Sequence, residues 1–488
     1  MDDQQTCRRR ALLRRAGTGA LALATLGGVT GTGAAATDET GAVAPDSPAV
    51  QQSDVSSKRW PQFQADATNS GLTETLGPND GTVAWEYDTA GPGQSTGTPP
   101  ATGTPYEDAP DDPGDNVVSS PAVVDGTVYV GNNGGTLYAI DAVSGEETWS
   151  YETDEEVMSS PAVVDGTVYV GSHDERLHAV DADSGDREWV FEADGTVFAS
   201  PTYRDETLYF GSQNGSMYAV DTAGEKRWQR SVGDRVDSTA AVADDTVYVG
   251  TWDDDRTGSV VALDAASGEQ VNEYPAGGEV ACSPTVVDGV VYFGDYARVF
   301  YAVDTGTAEL VWGREFDGAI LSSPVVDDGT VCVAGFDNTL WALDVENGDI
   351  EWSYATEDQI FSSPAVTPNT VYVGSADDKL HAIDRASGGE LFTVETGEAV
   401  LSSPAVTADA VFVGSSDSRV YAVGDPSGGD STSATAPGDG QSSGTPSDGA
   451  TDGDGSGFGA LGALGALGVG AWQRRRTGST GDDGTEGA

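Results

Sequence analysis

The side chains in this chain that could do chemistry are mostly oxygen donors at recurring positions. Asn132-Asn133, His173-Asp174, Gln213-Asn214, Asp253-Asp254-Asp255, Asp295, Asp337-Asn338, Asp377-Asp378 and Asp417 fall in short polar stretches, most following a run like Thr-Val-Tyr-Val-Gly. Carboxylate and carboxamide oxygens suit a hard cation such as Ca²⁺. Asp253, Asp254, Asp255, Asp337, Asn338 and Asp377 are therefore candidate metal ligands, although Asx turns account for the same residue types without any ion. A second series, Asp141, Asp181, Asp221, Asp264, Asp304, Asp344 and Asp384, recurs once per repeat. It reads as structural, because catalysis needs groups that break the regularity.

Nitrogen and sulfur donors are few. His178 and His381 replace the tyrosine of Leu-Tyr-Ala and read as packing residues, while His173 lies in a loop. Three imidazoles so scattered do not make a zinc site. Cys7 belongs to the N-terminal leader, Cys282 takes a Ser322-like place, and Cys332 takes a tyrosine-like place one unit later. A Cys282–Cys332 bridge requires their Cα atoms within about 7 Å; buried free thiols are the alternative. No Ser-His-Asp arrangement, P-loop or dinucleotide fingerprint occurs in its required context, so no catalytic residue is assigned.

The elements that position these groups are written as a repeat. Ser119-Ser120-Pro121-Ala122-Val123-Val124-Asp125-Gly126-Thr127-Val128-Tyr129-Val130-Gly131 returns almost unchanged from Ser159 to Gly171, a step of 40 residues. The marker proline recurs at Pro201, Pro284, Pro324, Pro364 and Pro404, and Ser238-Thr239-Ala240 holds its place in the fourth unit, giving eight units. Within each unit, turn residues separate four runs of β-branched, aromatic and small residues. A four-stranded sheet cannot bury both faces alone, so a period near 40 predicts an all-β fold: an eight-bladed β-propeller of four-stranded antiparallel blades.

Aromatic residues test how the ring closes. Trp149, Trp189, Trp228, Trp312, Trp352 and Phe392 mark the fourth strands, with Asn272 at that place in the fourth unit. The eighth unit runs into low-complexity sequence before reaching its aromatic, while Gly81 to Trp85 repeats the spacing of Gly145 to Trp149. An N-terminal strand bearing Trp85 is therefore expected to complete the last blade, leaving no long free edge.

The unit Gly-Thr-Val-Tyr-Val-Gly-Ser-x-Asp-x-x-Leu-x-Ala-x-Asp-x-x-Ser-Gly-x-x-x-Trp resembles the repeat of pyrroloquinoline quinone (PQQ) type propellers, and Trp60-Pro61-Gln62-Phe63-Gln64 with Asn69-Ser70-Gly71 resembles their lead-in. The resemblance covers residues 59–425. It implies the fold more than an activity, since the family includes quinoprotein alcohol dehydrogenases and non-catalytic relatives such as the BamB-like lipoprotein of outer-membrane assembly. For the dehydrogenases it implies PQQ on the propeller axis, Ca²⁺ held by Glu, Asn and Asp, a carboxylate base and a disulfide between consecutive cysteines. The consecutive cysteines are missing here.

Aspartate and glutamate total 80 against 23 lysines and arginines, a formal charge of −57. Such a surface disfavours nucleic acid and anionic lipid and suits a halophile's cell, where salt screens the repulsion. Residues 1–36 resemble a twin-arginine signal around Arg8-Arg9-Arg10, with Ala34-Ala35-Ala36 before cleavage, and 37–58 read as a disordered linker. Residues 90–116 are expected to form a flexible insertion and 426–456 a disordered stalk of Gly, Ser, Thr and Asp. Residues 457–476 form an apolar anchor or a segment resembling archaeal surface-sorting signals, and 477–488 an acidic tail. Together these features predict an exported, surface-tethered, monomeric propeller that binds or scaffolds a protein or ligand, with no cofactor. The alternative is a PQQ- and Ca²⁺-dependent, or otherwise quinone-linked, alcohol or sugar oxidoreductase.

Overall fold

The computed structural model describes residues 59–91 and 114–427, and over these the repeat becomes eight four-stranded antiparallel sheets. The leader, the linker, most of the 90–116 insertion, the stalk, the apolar segment and the acidic tail lie outside the described residues. Blade one comprises Ala122–Val124, Thr127–Gly131, Thr136–Asp141 and Glu147–Glu152. Its first turn is Asp125-Gly126, with φ of 50° and 85°; left-handed backbone at both positions matches the right-handed twist of the flanking strands. The second and third strands are buried on both faces, with Val128, Val130, Leu137 and Ile140 completely enclosed. Between the third and fourth strands a bulge at Ala139/Ile140 shifts the register, and the same irregularity recurs at Ala179/Val180, Ala219/Val220 and Ala302/Val303.

The expected closure is present. Val83–Asp88 pairs antiparallel with Arg419–Gly424, placing Trp85 opposite Ala422. Trp85 then behaves as every other fourth-strand tryptophan does: its indole N–H donates to a carbonyl of the next blade. Trp85 reaches Ala142, Trp149 reaches Ala182, Trp189 reaches Thr222, Trp228 reaches Ala265, Trp312 reaches Val345 and Trp352 reaches Arg385, at 2.8–3.0 Å. In blade four, where Asn272 stands, the Tyr274 hydroxyl makes the corresponding bond to Thr305 O at 3.0 Å. Each indole lies flat on a glycine of its neighbour; a methyl on Gly185 would sit 2.8 Å from Trp149. Phe392 closes on Gly81 in the same way, so the N-terminal strand both receives and delivers a docking contact.

Around the axis the blades are joined by backbone-to-serine bonds. Ser120 N donates to Ser160 Oγ, Ser160 N to Ser200 Oγ, Thr239 N to Ser283 Oγ, Ser283 N to Ser323 Oγ, Ser323 N to Ser363 Oγ, Ser363 N to Ser403 Oγ, and Ser403 N back to Ser120 Oγ, at 2.8–3.1 Å. This explains the second serine of the repeated Ser-Ser-Pro. The first serine stitches within its blade: Ser159 Oγ accepts from Gly171 N and donates to Gly171 O. Cys282 stands in that place as expected, with its Sγ 3.1 Å from Gly294 N and 3.3 Å from Gly294 O. Cys332 sits opposite Ala342 on a second strand. Both cysteines are buried free thiols, pushed up to about 12 by burial.

The lead-in crosses one face and visits the blades in order. Trp60 bonds Val123 in blade one, Pro61 O accepts from Val163 in blade two, and Gln62 Oε1 accepts from Tyr203 N in blade three. Ala67 O accepts from Val242 in blade four and Asn69 O from the Thr285 hydroxyl in blade five. Gly71 lies against Val325 in blade six and its carbonyl accepts from Val366 in blade seven. Val83–Asp88 then becomes part of blade eight.

Candidate functional site: the axial cavity

Every first strand starts on one face and runs toward the face that carries the lead-in. The residue three positions before each marker proline, or before Ala240 in the fourth unit, lines the axis: Val118, Met158, Phe198, Asp237, Ala281, Leu321, Phe361 and Leu401. Together with the serine ring they enclose a cavity of about 140 Å³, which Phe63 of the lead-in lines from below and Trp252 and Tyr296 line at the mouth. Seven of the eight positions are apolar. The exception is Asp237.

Asp237 is held in place by Arg235, two residues before it, and by Gln213 of blade three. Its side chain is 7% exposed; Arg235 Nε lies 2.7 Å from Oδ2 and Gln213 Nε2 donates to Oδ1 at 3.0 Å. Burial pushes its carboxyl above the usual range, against the pull of Arg235 and Gln213. The Arg235 guanidinium in turn stacks on Trp252, 4.7 Å from the ring centroid, a contact worth about 0.5–2 kcal/mol, and Trp252 meets Tyr296 edge-on at 5.4 Å. His173 stands nearby, 3.6 Å from Glu156 and 6.1 Å from the Phe198 ring. Burial lowers its imidazole's affinity for a proton, although Glu156 and Asp237 oppose this. Trp252 Nε1 and His173 Nε2 are buried without a hydrogen-bond partner.

The two histidines read as packing residues do more than pack. The Tyr151 hydroxyl meets His178 Nδ1 at 3.0 Å and His178 Nε2 meets Asp174 at 3.0 Å; Tyr354, His381 and Asp377 repeat the chain at 3.0 and 3.1 Å. Both histidines are about 3% exposed. Burial acts to raise the Asp174 and Asp377 carboxyls, and the histidine bonds outweigh it, holding both below the usual range. Being duplicated in blades two and seven, these chains brace loops.

The sequence-selected metal candidates are spread over three blades. Asp253 lies beside Asp254 and Asp255 in a blade-four loop, where Asp255 accepts from Thr257 and Asp234 accepts from Asp254 N. Burial, with Asp234 and Asp255, raises the Asp253 carboxyl. Burial likewise raises Asp337 in blade six, while Asn338 adopts a φ of 61° and Asp377 is bonded to His381. Among the described residues no three His, Cys, Asp or Glu side chains converge to hold a metal ion.

Two family models match the chain. Residues 69–239 match the one described as outer membrane protein assembly factor BamB, and residues 206–441 match a β-propeller described from beta-alanine-activating enzyme. The chain is a PQQ-type β-propeller. No curated protein sequence matches it. Solved propellers similar to it include BamB from Moraxella catarrhalis, 18% identical, covering 63% of this chain and 96% of that one with a TM-score of 0.55. Quinohemoprotein alcohol dehydrogenase from Comamonas testosteroni is 17% identical over 76% of this chain and 81% of its own, at 0.60. A europium-containing methanol dehydrogenase is 13% identical over 76% and 98%, also at 0.60. At these identities the likeness concerns the fold.

Whether this PQQ-type propeller could hold the quinone is a question for its axial residues. The cavity wall offers one carboxylate, and both oxygens of Asp237 are already engaged. Among the described residues no second carboxylate lines the cavity to share a Ca²⁺. The donor set does not fit the group, and no step is derived through it.

The asymmetric cluster around Asp237 was missed at the sequence level. Its signal was present: the fourth unit departs from the consensus at Asp237, at Ala240 in place of proline and at Asn272 in place of tryptophan.

Proposed function

We propose that this PQQ-type propeller is a non-catalytic binding module, exported and tethered at the cell surface. The observation that carries the reading is the axial centre: where a quinoprotein needs a free base beside a metal cradle, this chain has a closed Arg235–Asp237 pair within an otherwise apolar and hydroxyl wall. The family match to BamB supports the same reading. Export and tethering rest on Arg9-Arg10 and on the apolar residues 457–472, both outside the described residues.

Adding PQQ and Ca²⁺ to the purified chain in molar salt is expected to give neither stoichiometric quenching of protein fluorescence nor dye-linked alcohol oxidation. Turnover would replace the binding reading with a quinone-linked oxidoreductase, the activity named for two of the structural neighbours. For location, protease added to intact cells should release a folded fragment of about residues 59–425, and replacing Arg9 and Arg10 by lysine should protect the protein inside. Resistance of the unaltered protein in intact cells would sink the surface assignment.

A further inference from the structure

We infer that the mouth of the axial cavity is a socket for one bulky apolar side chain, aromatic by preference, carried by a protein segment whose flanking residues are lysine or arginine. The inference rests on the binding-module reading and names the partner's chemistry. Size is the first argument. About 140 Å³ lies below the roughly 300 Å³ at which pockets for cofactor-sized ligands begin. One side chain fits that space.

The wall is the second argument. Met158, Phe198, Leu321, Phe361 and Leu401 present apolar surface at one level of the axis, and the chain itself shows what such a wall accepts, because Phe63 enters the same cavity from the opposite side. Trp252 stands at the mouth with a buried, unpartnered indole N–H, placed to donate to a backbone carbonyl beside the inserted side chain. A desolvated aromatic anchor in a rigid pocket is the usual centre of a protein interface.

Charge supplies the flanks. The loops on the mouth's face expose Asp154, Asp234, Asp254, Asp255, Asp317 and Asp378. Two of the basic residues among them are already engaged, Arg176 with Asp154 at 2.6 Å and Lys379 with Glu357 at 3.2 Å. An acidic collar around an apolar hole selects a basic segment and rejects an acidic one.

The test uses the full chain and fluorescent peptides Lys-Arg-X-Arg-Lys, with X as Trp, Phe, Leu or Ala, followed by anisotropy in molar salt. The Trp and Phe peptides should bind at least tenfold tighter than the Ala peptide. Ala281→Phe fills the socket with the side chain that Phe198 and Phe361 already carry at the equivalent position, so the ring tolerates it. It should bring the four affinities within twofold of one another at an unchanged melting temperature. Equal affinities for all four peptides in the unaltered protein, or an A281F variant that still discriminates, would overturn the socket. So would saturation transfer from the protein to glycerol or glucose with none to the peptides, which would identify a polyol site. These outcomes are separable from the dye-linked assay: loss of peptide discrimination with no turnover removes the socket and leaves the binding module standing.

Discussion

At the scale of single residues, the glycines that receive the tryptophans distinguish backbone strain from packing. Gly166 and Gly185 both have left-handed φ, 86° and 75°, but a methyl on Gly166 meets nothing within 4 Å whereas one on Gly185 meets the Trp149 ring at 2.8 Å. Gly166→Ala should cost about 1–2 kcal/mol, the left-handed penalty alone. Gly185→Ala should cost a further ~1–3 kcal/mol as the indole is displaced. Urea melts of the two variants in molar salt measure the difference, and equal losses would mean that tryptophan docking contributes nothing. The periodic tryptophans and glycines were legible in the sequence because the same spacing recurs in six of the eight blades. Asp237 was not, since a repeat is read by what its units share, and this residue matters by differing from Val118, Met158 and Phe198 at the same place.

At the scale of elements, the Asp-x-x-Ser turns between third and fourth strands make acid sensitivity predictable. Asp141 accepts from Ser144 N and Oγ, and Asp181, Asp264, Asp304 and Asp384 accept from Ser184, Ser267, Thr307 and Ser387 in the same manner. The backbone bond from Ser144 and the hydroxyl bonds at the other four hold these carboxyls below the ordinary aspartate value. The unfolded chain, with ordinary values near ~3.9, therefore takes up protons first as pH falls. The stabilisation is complete above about pH 5 and is lost as pH drops through the ordinary value toward the lowered one. Melting temperature in molar salt, where charge repulsion is screened, should fall below about pH 4; a flat profile down to pH 3 would show that the turns hold without ionised aspartate. The turns themselves were readable from Asp and Gly placement. The course of the lead-in was not: only Trp85 carried a repeat signature, and nothing local in residues 60–73 says that they touch one blade after another.

For the molecule as a whole, the lead-in and the final strand make the ring a single cooperative object. Deleting residues 59–88 removes the fourth strand of blade eight, the Trp85 contact and the bonds across blades one to seven, and should lower the melting temperature sharply. Removing everything after residue 427 should leave it within a degree or two, because no described blade is interrupted; equal losses would refute the closure. Net charge acts on the same object. At 0.01 M salt the screening length grows to about 30 Å from about 3 Å at 1 M, so the part of the chain's formal charge of −57 that lies on the blades, which is most of it, repels across the ring. Dialysis to low salt should unfold the chain, as followed by tryptophan fluorescence, and an intact fold there would reject the halophilic reading.

The antiparallel register of the closing pair also dictates how the ring responds to force. Val83 lies opposite Val423 and Asp88 opposite Arg419, so the chain enters the first strand and leaves the last at the same end of the ladder. Tension applied between the two would load the hydrogen bonds one after another, as in a zipper, instead of all together. The lead-in stands upstream of that zipper and grips the first seven blades through separate backbone bonds. In an optical trap pulling from Val83 and Ser427, rupture should therefore begin at Val83–Val423 and release blade eight at low force, with the remaining blades yielding in later, separate steps. The seam between the first and last strands is thus the mechanical fuse of the ring.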